Sequence, residues 1–183
     1  MPDPAATIGV YPGSFDPLTV AHLGIAEAAV RQLGLVRLDL ALSRATLGKS
    51  HLDAASIDGR VAAIERAAST RPWLGVTVVE AQLIADIALG YDVVVMGADK
   101  WVQVIDPSWY GGDPRARDAA LERLPRVAVA PRAGVQVPDE LRLAVPAHLQ
   151  HVSATAVRAG RLDWAAPEAE LGQDPGPRPS DLR

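Results

Sequence analysis

The 183-residue chain contains no cysteine. That excludes a disulfide framework, a thiol nucleophile and every zinc site built on thiolates, and it fits a cytoplasmic protein. Lysine is nearly absent as well: Lys49 and Lys100 stand beside sixteen arginines. With abundant alanine, that skew reads as genomic base composition, and it makes both lysines worth locating. Aromatic residues make up 4% of the chain. No apolar run approaches the roughly 20 residues that span a bilayer, because Glu80, Asp86 and Asp92 cut the two longest, near 76–79 and 93–98. Residues 1–7 lack the positive region of a signal peptide. The expectation is a protein with no membrane partner. The net charge is −4 and the basic residues are scattered, which leaves no electrostatic footprint for nucleic acid. No Gly-x-Gly-x-x-Gly follows a strand-like run, so hydride transfer on a dinucleotide has no support. No Ser-His-Asp arrangement is readable either.

What is present is a regular alternation. Residues 7–11, 36–43, 76–79, 92–97 and 126–130 are short β-branched or aliphatic runs. Between them, 19–33, 57–69, 81–89 and 115–124 place apolar residues at helical spacing, with Gly34 and Gly90 as stops and a cap near Ser56. A last short helix is expected near Ser153. Strands alternating with helices predict an α/β fold, a Rossmann-like parallel sheet of about five strands with helices on both faces. Residues 93–96 are apolar throughout, as a strand covered on both sides requires. The length suits one domain plus a short extension. Residues 1–171 read as the domain and 172–183, with Pro175, Pro177, Pro179, Gly172 and Gly176, as a disordered Pro/Gly-rich tail.

In such a sheet, ligands bind where strands end and helices begin. The first of these junctions reads Gly13-Ser14-Phe15-Asp16-Pro17-Leu18-Thr19-Val20-Ala21-His22. Gly13 lets backbone approach a ligand, Thr19 can cap a helix whose free N–H groups suit phosphate, and His22 projects from the first turn. Near the other end, Ser153-Ala154-Thr155-Ala156-Val157-Arg158 combines hydroxyls at a helix start with an arginine one turn on, again an anion site. Gly97-Ala98-Asp99 follows the buried strand and offers a carboxylate to ribose hydroxyls. Trp101 and Trp109 come next, and an indole is what stacks on a pyridine or purine ring; core packing or a dimer contact is the competing explanation. Lys49 lies in a stretch one residue short of a Walker A loop, with Ser43 where the first glycine would be, and no helix opens at Lys49-Ser50 as that loop demands. His148 and His151 could face one metal, but no third ligand is apparent and none is assigned.

These motifs together resemble the nucleotidyltransferase superfamily, whose first motif reads Gly-(Thr/Ser)-Phe-Asp-Pro followed by (His/Thr)-x-Gly-His and whose last reads Ser-Ser-Thr-x-x-Arg. The adenylyltransferases of pyridine-nucleotide (NAD) and coenzyme A biosynthesis belong to it. The resemblance implies that Gly13, Ser14 and Phe15 contact the nucleotide, that Thr19, His22, Lys49 and Arg158 meet the phosphates where transfer occurs, that Gly97, Asp99, Ser153 and Thr155 complete nucleotide binding, and that Trp109, with Trp101 as second candidate, meets the acceptor. Arg60 matches an arginine of the helix after Lys49. Ala21 and Ala154 depart from the motifs, each by one residue. The resemblance runs from about residue 7 to 160.

The reaction so implied is transfer of AMP from ATP to the phosphate of nicotinate or nicotinamide mononucleotide, releasing pyrophosphate, with Mg²⁺ bound mainly through the substrate phosphates. The partners are ATP and a small phosphate-bearing acceptor; assembly into a homo-oligomer stays open. Residues 11–19 look more like the phosphopantetheine adenylyltransferases, and a cytidylyltransferase-like enzyme is a further alternative within the superfamily. A nucleotide-binding regulatory module without turnover is the alternative of another class.

Overall fold

The computed structural model describes residues 6–44 and 54–170. Lys49 and the 172–183 tail lie outside the described residues. Five strands form one all-parallel sheet: β1 (Ile8–Pro12), β2 (Arg37–Ser43), β3 (Leu74–Val79), β4 (Val93–Gly97) and β5 (Arg126–Ala130), in the order β3-β2-β1-β4-β5. The chain builds outward from β1 through β2 to β3, then crosses back to place β4 on the free edge of β1 and β5 beyond it. The strand order therefore reverses between β1 and β4. In open α/β sheets that reversal opens a crevice at the carboxyl ends of the two strands.

Side chains of a strand alternate between faces, and here both faces are covered. Val93 and Val95 pack with Tyr11, Leu38, Leu40, Leu23 and Ala26 from α1 (Val20–Leu33), and Ile64 and Ala67 from α2 (Ala54–Ala68). Val94 and Met96 pack on the opposite face with Val10, Ile87 from α3 (Ile84–Ile87), and Ala98 and Val104 from α4 (Ala98–Ile105). All four residues from Val93 to Met96 are buried, and at about 1.5–3 kcal/mol per large apolar side chain they anchor the sheet. Helix α5 (Pro114–Glu122) leads into β5, and α6 (Ala154–Arg158) and α7 (Pro167–Glu170) close the described chain. The α/β sheet with helices on both faces is the one expected from the alternation.

Three local expectations fail. The helix anticipated over 81–89 is reduced to the single turn α3, because residues 80–83 after β3 take no helical turn and Leu83 is extended. There the Ser43 hydroxyl donates to the Ala81 carbonyl at 2.6 Å, engaging an oxygen that a helix would have used. Residues 98–105, given no helix from sequence, form α4. That helix starts straight from Gly97 with no side chain closing its first turn, so the usual capping signal is missing. Ser56 lies inside α2 rather than at its cap, and its hydroxyl accepts from Arg60 at 2.8 Å.

Candidate active site

The junction of β1 and α1 sits at the strand-order reversal and is fixed by packing. Gly13 N–H extends the sheet by donating to the Ala41 carbonyl at 3.0 Å. Phe15 then takes a left-handed φ of 43° and turns its ring into the core, edge-on to Tyr11 at 5.6 Å and to the His22 imidazole at 5.0 Å. Position 13 has to be glycine for that reason: a Cβ there would lie 2.7 Å from the Phe15 ring. The Asp16–Pro17 bond is cis. Thr19 closes the first turn of α1 reciprocally with His22. Its hydroxyl accepts the His22 N–H, and its own N–H donates to His22 Nδ1 at 3.1 Å. An Nδ1 that accepts carries no proton, so the neutral ring holds its hydrogen on Nε2. Burial pushes the His22 pKa down to about 4, so the imidazole is uncharged at neutral pH.

The last motif reaches the first across 142 residues of sequence. Ser153 caps α6 by accepting the Ala156 N–H at 3.1 Å, and Arg158, one turn on, donates to the Thr155 hydroxyl at 3.1 Å and to the Asp16 carbonyl. The Asp16 carboxylate lies between two guanidinium groups, 3.7 Å from Arg158 and 3.3 Å from Arg60. Arg60 is the more enclosed, its side chain 10% exposed, and it also donates to the Ser14 carbonyl at 3.0 Å. Beyond α6 the chain straps the loop down: Ala166 N–H donates to the Leu18 carbonyl at 2.9 Å, and Thr19 pairs with Ala165. His22 and Arg158 thus belong to one end of the sheet.

The third motif flanks the same crevice from β4. Nothing stands within 4 Å of the place a Gly97 Cβ would occupy, which leaves the strand end open to a ligand. Asp99, in the first turn of α4, pairs with Arg132 at 3.0 Å while its side chain stays 53% exposed. Next to this edge lies a pocket of about 270 Å³. It is lined by Gly13 and Ser14 of the loop after β1, by Gln82, Leu83 and Ile84 after β3, and by Lys100, Val104, Trp109 and Tyr110 from α4 and the turn that follows it. The Tyr110 hydroxyl donates to the Val104 carbonyl at 2.9 Å and so ties the turn Pro107–Tyr110 to α4. Trp109, 38% exposed, lines the pocket, whereas Trp101 packs partly buried against the core and does not line it.

A model of the cytidylyltransferase-like family matches residues 10–160, from β1 to just past α6. The chain belongs to that family. A protein of Parvibaculum lavamentivorans described as "Probable nicotinate-nucleotide adenylyltransferase" is 31% identical over 171 residues, covering 87% of this chain and 80% of that protein. One of Agrobacterium fabrum with the same description is 38% identical over 76 residues, 42% of this chain and 40% of that protein. The Plasmodium falciparum nicotinic acid mononucleotide adenylyltransferase, solved with NaAD, shares the fold with a TM-score of 0.65 at 13% identity, over 91% of this chain and 94% of that one. Membership of this cytidylyltransferase-like family agrees with the nucleotidyltransferase resemblance read from the two terminal motifs. No helix among the described residues is long and apolar enough to cross a membrane.

Sequence reasoning missed the pocket wall made by Gln82, Leu83 and Ile84, and the partner of Asp99. The first was findable, since these residues follow the carboxyl end of β3, where the parallel-sheet rule directs attention; the helix assigned there hid them. Arg132 offered no local signal, because its link to Asp99 exists only once β4 and β5 are paired.

Proposed function

We infer that this chain transfers the AMP moiety of ATP to the phosphate of nicotinate mononucleotide and releases pyrophosphate. The observation that carries this reading is the pocket that Trp109 lines together with Gly13 and Ser14 of the β1–α1 loop. A pyridine ring stacked on that indole brings the mononucleotide into the pocket that this loop also lines. The names of the two bacterial relatives and of the structural neighbour support the same acceptor.

An oxygen of the acceptor phosphate attacks the α-phosphorus of ATP in line, and the bond from that phosphorus to the pyrophosphate oxygen breaks. The protein supplies position and hydrogen bonds, not a nucleophile. His22 donates through Nε2–H to an oxygen of the transferring group. As a neutral imidazole it is a donor and not a cation, so the positive charge falls to Arg158 and Lys49. Thr19, buried with its hydroxyl committed to the cap, serves as a positioning residue for His22 and not as a direct phosphate ligand. Arg158 can exchange the Asp16 carbonyl for a phosphate oxygen. Gly97, Asp99, Ser153 and Thr155 complete the nucleotide side. Mg²⁺ is assigned to the triphosphate, as part of the substrate, on the general chemistry of phosphoryl transfer. A cytoplasmic location belongs to the same reading, supported by the absence of cysteine.

Pyrophosphate release tests it, with ATP and Mg²⁺ and, in separate arms, nicotinate mononucleotide, nicotinamide mononucleotide and phosphopantetheine, each repeated with CTP. Turnover of a pyridine mononucleotide with ATP is expected. ATP binding with no pyrophosphate from any acceptor would make the chain a nucleotide-binding module, and turnover of phosphopantetheine alone would replace the acceptor.

A further inference from the structure

The α4 wall of the pocket carries a charge that none of the family motifs requires. Lys100 is the one formally charged side chain among the described residues lining the pocket, which otherwise presents aliphatic, aromatic and uncharged polar groups. Its ammonium donates to Gln103 Oε1 at 2.8 Å, three residues along the helix. Val104, four residues on, lies on the same face of α4 and accepts the hydrogen bond that fixes Tyr110, and with it the turn bearing Trp109. Lys100 and Trp109 thus line one pocket, and a ring stacked on the indole shares that space with a four-carbon side chain that ends in an ammonium.

We propose that Lys100 selects for an acceptor whose ring carries a carboxylate against one whose ring carries an uncharged carboxamide. An ammonium has three donors and no acceptor. A carboxylate answers it with acceptors alone and with opposite charge, and charge-assisted bonds of this kind are about twice as strong as neutral ones. A carboxamide offers one acceptor and turns a competing N–H₂ donor toward the same cation. This inference rests on the acceptor assignment above and adds the residue that sets the choice between acid and amide.

The test compares the parent with Lys100→Met and Lys100→Arg, using nicotinate and nicotinamide mononucleotides with ATP. The Met side chain keeps the length and loses the charge, and because Lys100 is exposed, melting temperatures should stay level. Lys100→Met should lower the acid-to-amide ratio of kcat/KM by about 10- to 100-fold, the worth of one hydrogen bond to a charged group. Most of the change should fall in KM for the acid, with KM for ATP unmoved, and Lys100→Arg should recover much of the ratio. An equal loss for both mononucleotides would place Lys100 on the shared ribose phosphate and overturn the proposal, as would an unchanged ratio. If the parent turns over neither mononucleotide, the acceptor assignment fails, and this selectivity with it.

Discussion

Along the loop from β1 to α1 three side chains are buried, Phe15, Leu18 and Thr19, each 1% exposed. Across the crevice the pocket wall is made from a one-turn helix, a short helix and a 3₁₀ turn, and its indole stands partly in solvent. The first region is over-determined: backbone pairing to Ala41, the Tyr11–Phe15–His22 ring cluster, the Thr19 cap and the strap of residues 165–166 all specify one geometry. The second is assembled from short pieces tied at separate points: the Tyr110–Val104 bond, the Arg117–Ile105 bond and the Asp106 cap on Ser108. Rigid placement suits the side where the α-phosphorus must meet an attacking oxygen. A wall of short elements and turns suits the side where acceptors differ from enzyme to enzyme, since loops on a fixed scaffold are where specificity changes at least cost to the fold.

The sharpest way to break this contrast is His22→Ala. Losing one donor to a transferring phosphoryl oxygen costs about 10²–10³ in rate, while losing half of a reciprocal cap costs about 1 kcal/mol of stability. Turnover within threefold of the parent, with a normal melting temperature, would remove His22 from the reacting atoms. Next comes the pocket. Trp109→Ala should raise KM for the mononucleotide by about 5- to 150-fold, the worth of one stacking partner, and leave KM for ATP nearly level. Trp101→Ala should instead lower the melting temperature, since that indole packs on the core. An exchange of these two phenotypes would put the acceptor elsewhere.

The same contrast explains what the sequence made legible. The loop motif is local: glycine, aromatic, cap and histidine lie within ten residues, so its geometry follows from short-range sterics and hydrogen bonding. Its second half, residues 153–158, was legible because a hydroxyl-capped helix with an arginine one turn on is also a local pattern. The sequence marks Gly13 as a place where backbone approaches a ligand; the obstacle that the fold sets to a side chain there is the Phe15 ring two residues on, turned back by the left-handed φ of that residue. The pocket wall was not legible, because Gln82, Lys100 and Trp109 meet only after the sheet forms. α4 begins without a cap, and the helix pattern near 81–89 competes with extension enforced by Ser43. Trp101 and Trp109 lie close together in one stretch of sequence; packing separates them.

Two glycines sharpen the comparison further. Gly13→Ala forces a methyl to 2.7 Å from the Phe15 ring, and overpacking of this kind costs about 1–3 kcal/mol. Gly97→Ala meets no atom within 4 Å and should leave stability within about 0.5 kcal/mol, while weakening ATP binding if backbone approach is what the opening serves. Urea denaturation of both variants, with and without ATP, separates the rigid side from the open one. Equal destabilisation of the two would mean that the β4 end is packed as tightly as the loop.

The smallest expected effect concerns protons. The folded pKa of His22 is lowered to about 4, whereas a histidine in the unfolded chain titrates near 6.5. Above that value both states are neutral and the group contributes nothing to pH dependence. As pH falls below it, the unfolded chain takes up a proton that the folded one refuses, so stability declines through the window from about 6.5 to 4. At pH 5.5, still above the carboxylate range, the loss relative to pH 7 is about 1 kcal/mol. His22→Gln, which cannot take up that proton, should lose less by about this amount in urea titrations at the two pH values. In activity, kcat/KM for ATP should show no His22-dependent break near pH 6.5, because the neutral Nε2–H donor persists across the physiological range. A break at that pH that disappears in the glutamine variant would mean that the imidazole is hydrated and charged in the working site, and that the ring cluster around it is looser than the rest of the loop.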